Sequence, residues 1–212
     1  MARVKSLAAA VKSTYTDGAR RLASQSIGSL ARTRVTPSML TTAGVTLCAV
    51  ASVLVYFEYR NEWLFFWAGS IVFAIGSIMD ILDGALARAG GKATVFGAFL
   101  DSTLDRVGEA FMLGAIGVAL ARDGNETALM FTFAAMAGSF LVSYTRSKAE
   151  TLGLKGDVGI GSRAERVVVI CLGLAVAPWG GLQWAIYLLA ATAWITVAQR
   201  IWFVRKQLRE RD

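Results

Sequence analysis

Six apolar runs, roughly 38–58, 62–86, 97–121, 126–147, 161–179 and 182–204, each have about the length that crosses a bilayer. Hydrocarbon offers a backbone no hydrogen-bond partner, so runs of this length predict helices that satisfy their own N–H and C=O groups. With 55% hydrophobic residues among 212, the chain fits an integral membrane protein better than a soluble domain around one core. The expected fold is all-α. An integral membrane bundle of six transmembrane helices spans residues 35–212, preceded over 1–34 by a basic amphipathic juxtamembrane segment. Cys48 and Cys171 fall in apolar segments with no second Cys or any His nearby, and read as packing residues.

Lys and Arg collect in cytoplasmic loops beside membrane spans, and an even number of spans puts both termini on one side. That side carries seven basic residues before position 36, then Arg88, Lys92, Arg146, Lys148, Lys155, Arg163 and Arg166, and finally Arg200, Arg205, Lys206, Arg209 and Arg211. Only Arg60 and Arg122 lie opposite. Both termini are therefore expected in the cytoplasm of a multi-pass cell-membrane protein. In the first 34 residues, Arg3, Lys5, Lys12, Arg20, Arg21, Arg32 and Arg34 face one acid, Asp17, while Val4, Leu7, Ala8, Val11 and Tyr15 recur at helical spacing. This pattern predicts an N-terminal amphipathic interfacial helix on anionic membrane lipids. An organelle transit peptide or a nucleic-acid arm would share the charge, but the membrane spans that follow favour lipid, and no nucleic-acid partner is expected.

Four aspartates interrupt this apolar pattern. Asp80 and Asp83 close the second run, Asp101 and Asp105 open the third, and Ala89-Gly90-Gly91-Lys92 between them reads as a turn. Spacings of three and four place each pair on one helix face, so all four can converge at the cytoplasmic end. Four ionised carboxylates in one poorly solvated space repel, and protonation, basic partners or bound cations must offset them. Two divalent cations would balance the charge. Oxygen-only ligands in a chain with no histidine favour magnesium or manganese over zinc. A two-metal carboxylate site suits phosphoryl or phosphodiester chemistry. Gly84 and Ala87 lie one turn apart and would let a ligand approach the helix backbone, while Gly97 could start the next helix tightly.

A plainer reading makes these acids helix-end residues paired with Arg88 and Arg106. The array argues against it. Asp80, Asp83, Gly84, Ala87, Arg88, Gly97, Asp101 and Asp105 form D-x2-D-G-x2-A-R-x8-G-x3-D-x3-D, and eight specified positions coincide at a given start with a probability on the order of 10⁻¹⁰.

At these residues the sequence resembles the CDP-alcohol phosphatidyltransferase family, whose signature the segment from Asp80 to Asp105 matches without exception. The resemblance covers most of the chain after about residue 34. It implies an enzyme that transfers a phosphatidyl group from a CDP-linked lipid, CDP-diacylglycerol, to an alcohol and releases CMP. It implies Asp80, Asp83 and Asp101 as metal ligands, and Asp105 as a general base that also lies beside the second metal. Gly84, Ala87 and Arg88 would border the CDP group. Thr36, Pro37 and Thr41 at the entrance to the first span, with Thr94 in the turn, are candidates for nucleotide or phosphate contact. By local chemistry alone, these last four are equally cap and turn residues. A homodimer is implied as well, and Gly114, Ala115, Gly117 and Ala119 could support close contact either between chains or inside one bundle.

The acceptor is read from a second region. Ser143-Tyr144-Thr145-Arg146-Ser147-Lys148-Ala149-Glu150, the linker through Lys155 and Asp157, and Ser162-Arg163-Ala164-Glu165-Arg166 put five basic residues at one helix-loop-helix junction. Arg and Lys surround a phosphate dianion well. Positive-inside bias explains Lys155, but Arg163, Arg166 and Arg200 fall at or inside predicted spans, where charge needs a ligand or a partner. The region resembles the phosphatidylinositol-phosphate synthase branch of the family, with Gln199-Arg200 in the sixth span. That implies inositol 1-phosphate held by some of Arg146, Lys148, Arg163, Arg166 and Arg200. Gly161-Ser162-Arg163 where Glu-Arg is expected, and Arg146 where Lys is usual, depart from the branch pattern. Two readings stay open beside it: a sister enzyme using glycerol 3-phosphate, and a carboxylate-lined magnesium transporter or channel.

Overall fold

A computed structural model describes residues 37–89 and 94–211 of the chain. The basic segment 1–34 and Thr36 lie outside the described residues. Among the described residues, six α-helices follow in order: α1 (Pro37–Tyr56), α2 (Glu62–Ala89), α3 (Val95–Arg122), α4 (Glu126–Thr151), α5 (Arg163–Ala175) and α6 (Leu182–Arg209). Each start has a local cause. Pro37 opens α1, where a missing N–H costs nothing. Thr94 caps α3 by accepting from the Gly97 N–H at 2.9 Å, and Asn125 caps α4 by accepting from the Ala128 N–H at 3.0 Å. Before α5, Glu165 reaches back to the Ser162 N–H at 2.7 Å.

Four of the helical segments are long and apolar enough to cross a membrane: Ser38–Arg60, Glu62–Asp80, Glu126–Thr151 and Leu182–Arg209. Only 33–39% of their most apolar stretch is buried inside the bundle, so the rest must face lipid. Ile71, Ile75, Ile78, Met130, Phe133 and Ile201 are among these outward side chains. The chain is thus a multi-pass, all-α membrane bundle. The other two helices differ from the expected spans for visible reasons. α3 carries Asp101, Asp105, Arg106 and Glu109 along its first 15 residues, which interrupts its apolar run, while Met112, Leu113, Ile116 and Ala119 further along lie in the core. α5 has 13 residues, roughly 20 Å of helix, and gives way to a 3₁₀ turn at Ala177–Trp179.

Three tight turns close one end of the bundle. They join α1 to α2, α3 to α4 through Gly124 (φ +69°), and α5 to α6 through Gly180 (φ +75°). Trp63, Trp67 and Trp179 cluster here with ring centroids 4.6–6.4 Å apart, as aromatic residues do at a membrane–water interface. Arg122 pairs with Glu58 at 2.8 Å and lies over the rings of Tyr56 and Tyr59. The aspartates occupy the opposite end, about 25 Å away along α3.

α1, α2 and α3 meet directly beneath those aspartates. A Cβ on Gly76 would lie 2.8 Å from the Gly44 carbonyl oxygen, and one on Gly44 would lie 3.0 Å from that of Gly76. The two backbones touch, one turn before Asp80. Cys48 is buried in the same junction, and a Cβ on Gly108 would meet its Cβ at 3.2 Å. Ala115, Gly117 and Ala119 pack within this bundle, whereas a Cβ on Gly114 would meet nothing within 4 Å. Gly76→Ala should therefore destabilise by about 1–3 kcal/mol through overpacking. Gly114→Ala should leave the melting temperature in detergent unchanged. Equal melting temperatures for the two variants would refute this account of the junction.

Candidate metal and substrate site

Close approach of α1 and α2 sets the depth at which the acidic residues emerge. Asp80 leaves α2 one turn beyond Gly76, and Asp101 and Asp105 leave the first half of α3 opposite it. One carboxylate oxygen from each of Asp80, Asp101 and Asp105 lies within 4.8 Å of the other two, and all three side chains are half-buried. Asp83 is buried and accepts a hydrogen bond from the Thr41 hydroxyl of α1. Three hard oxygen donors converging in a partly dehydrated space fit a divalent cation such as magnesium or manganese.

A positive group already sits in the cluster. Arg163, the first residue of α5, donates through Nη1 to Asp80 and places Nη2 2.8 Å from Asp105 Oδ1. That the carboxylates gather a guanidinium in this way is physical evidence of the charge they impose. Gly44, Cys48, Ser77, Gly108 and Glu109 line the same small cleft.

One turn further along both helices lies a pair that the sequence reading passed over. Arg166 donates to Glu109 through Nε (2.7 Å) and Nη2 (2.9 Å), and through Nη1 to the Gly161 carbonyl (2.9 Å). Both side chains are buried. The signal was present, because Glu109 extends the Asp101–Asp105 face by one more turn, just as Arg166 extends that of Arg163. Glu109 is thus the protein partner that Arg166 needs at that depth.

Arg200 is likewise buried with protein partners. It donates to the Val158 carbonyl at 2.8 Å and to that of Val142, tying α6 to α4 and to the 152–162 loop. Gln207 fastens the same loop through the Lys155 N–H and C=O at 3.0 and 2.8 Å. Arg146 is exposed, with Glu150 at 3.0 Å and Asp157 at 3.4 Å, and Lys148 is exposed beside it. Arg106 turns back along its own helix to the Ser102 carbonyl instead of pairing with an aspartate.

Of the residues expected near a nucleotide, Thr41 holds Asp83 and Thr94 caps α3. Gly84, Ala87 and Arg88 belong to the last turns of α2, and their side chains lie outside the described residues. Pro37 begins α1.

Burying Arg166 without its carboxylate partner is costly. Glu109→Ala should destabilise the protein by about 3–5 kcal/mol, and pairing Glu109→Leu with Arg166→Met should recover most of that. Thermal and denaturant unfolding in detergent would check both; wild-type stability in Glu109→Ala would show that the pair does not hold α5.

A family model described as CDP-alcohol phosphatidyltransferase matches residues 34–207. The archaetidylinositol phosphate synthase of Pyrococcus horikoshii is 38% identical over 181 residues, covering 84% of this chain and 88% of its own. The phosphatidylinositol phosphate synthase of Mycobacteroides abscessus is 36% identical over 181 residues, covering 83% and 80%. The fold is similar to the crystal structure of Mycobacterium tuberculosis phosphatidylinositol phosphate synthase with CDP-DAG bound, with a TM-score of 0.75, 28% identity, and coverage of 87% of this chain and 94% of that one. The same enzyme in complex with manganese and citrate gives a TM-score of 0.74 at 29% identity, covering 86% and 88%.

Proposed function

The chain belongs to the CDP-alcohol phosphatidyltransferase family, and from that footing we propose that it transfers the phosphatidyl group of CDP-diacylglycerol to inositol 1-phosphate, giving phosphatidylinositol phosphate and CMP. The observation that carries this reading is the meeting of Asp80, Asp101 and Asp105 within 4.8 Å at one end of an apolar bundle. A lipid-linked nucleotide needs such a place, with hydrocarbon beside the helices for its tails and fixed charge at their ends for its pyrophosphate.

Asp80, Asp83, Asp101 and Asp105 hold two magnesium or manganese ions in this reading. When bound, the ions neutralise the pyrophosphate oxygens and the departing CMP. Asp105 accepts the proton of the acceptor hydroxyl as its oxygen attacks the lipid-side phosphorus. One P–O bond forms, the bond to CMP breaks, and no covalent enzyme intermediate is required. Thr36, Pro37 and Thr41, the Gly84–Ala87–Arg88 turn and Thr94 border the CDP group. Thr41 contributes by orienting Asp83, and Thr94 by fixing the start of α3.

The acceptor phosphate meets Arg146, Lys148 and Arg163. Arg166 and Arg200, buried with protein partners, act by holding α5 and the 152–162 loop in place. In this topology all six helices cross, the 1–34 segment lies on the membrane surface, and both termini and the active site are cytoplasmic, a reading the Lys and Arg distribution supports. A homodimer follows from the family resemblance.

Asp105→Asn should fold and bind CDP-diacylglycerol yet release CMP at least about 10²-fold more slowly; near-wild-type turnover would remove Asp105 as the base. Across a panel of acceptors with added magnesium, inositol 1-phosphate should support turnover and free inositol should be poor. Turnover of glycerol 3-phosphate alone would reassign the acceptor, and magnesium transport into liposomes without CMP release would replace the enzyme reading. Lys148→Gln should raise the KM for inositol 1-phosphate several-fold while leaving that for CDP-diacylglycerol unchanged, about 1 kcal/mol of charge-assisted binding. Equal rises in both would argue against an acceptor-specific role.

A further inference from the structure

Arg163 stands where a cation is expected. Its guanidinium spans Asp80 on α2 and Asp105 on α3, two of the three carboxylates whose oxygens lie within 4.8 Å of one another. The neighbouring acids are otherwise engaged: Glu109 is held by Arg166, and Asp83 accepts from Thr41. Arg163 is therefore the basic side chain that bridges the cluster among the described residues.

Its backbone is fixed while its head group has a way out. The Glu165–Ser162 contact and the Glu109–Arg166 pair one turn on hold the start of α5 against α3. The side chain of Arg163 keeps 32% of its surface exposed, against 3% for Arg166. A guanidinium and a divalent cation compete for the same few carboxylate oxygens, since each repels the other and each draws on the same lone pairs.

We propose that Arg163 is an internal counter-ion that competes with divalent cations for Asp80 and Asp105, holding the cluster together before metal binds and setting the concentration at which metal displaces it. Arg163 and the cation are two ligands of one site with negative coupling, and coupling of this kind is reciprocal. Any anion that draws the guanidinium off the carboxylates will tighten metal binding. The inference rests on the metal-site reading above.

Isothermal titration of Mn2+ into the purified protein in detergent, with no lipid substrate or acceptor present, tests it. Arg163→Gln should bind Mn2+ about tenfold more tightly than wild type. Without metal its melting temperature should fall, and saturating Mn2+ should raise it by more than in wild type. Arg163→Lys, which reaches one carboxylate in place of two, should fall between, and carries the test if Arg163→Gln does not fold. Asp101→Asn should weaken binding in either background. Equal or weaker Mn2+ affinity in the Arg163 variants, with binding still weakened by Asp101→Asn, would overturn the competition while leaving the metal site standing. No Mn2+ binding in any of these proteins would overturn both.

Discussion

Charge inside an apolar bundle must be answered locally, because neither lipid nor a packed core can solvate it. The site end of this protein is organised by that requirement. Asp83 takes a hydroxyl from α1, Asp80 and Asp105 share a guanidinium from α5, and Glu109 holds a second guanidinium in two parallel hydrogen bonds. Each contact joins two helices. The acids therefore bind the bundle together at the depth where they are most expensive, and the same arrangement that satisfies them leaves oxygens aimed at one small space.

Such an arrangement needs helices that approach closely enough for short side chains to reach across. Gly44 against Gly76, and Gly108 against Cys48, bring three backbones together one turn below the aspartates. An aspartate carries its charge barely beyond its own backbone, so a site made from aspartates on separate helices demands small residues beneath it. Longer acids would tolerate looser packing, and Glu109, one turn deeper, reaches Arg166 on α5.

How much of this was legible in the sequence follows from how local each signal was. Most of the helices, and the convergence of Asp80, Asp101 and Asp105, could be read from run length and from spacings of three and four. The limits of α5 could not, since the run from 161 to 179 contains a loop entry and a 3₁₀ turn whose residues are as apolar as the helix between them. The partners of Arg163, Arg166 and Arg200 were also hidden. They lie between 42 and 83 positions away, or are carbonyl groups that every residue carries, and no composition or periodicity records either. The carboxylates are thus supplied by two consecutive helices that α1 brings together, while the basic side of the site is a property of the whole bundle.

The tie between the 152–162 loop and α6 bears on how the protein is made. Arg200, Gln207 and Arg211 hold that loop through the carbonyls of Val158, Lys155 and Gly153. Ribosomes deliver chains in order, so α1, α2 and α3, with all four aspartates, can enter the bilayer while the helix that anchors the loop is still unsynthesised. During that interval the nascent chain carries its acidic residues without the α6 side chains that hold the loop leading into Arg163 and α5. A newly inserted bundle thus acquires its carboxylates first and the fastening of its basic loop last, and the assembly of the site has a direction that the finished fold no longer displays.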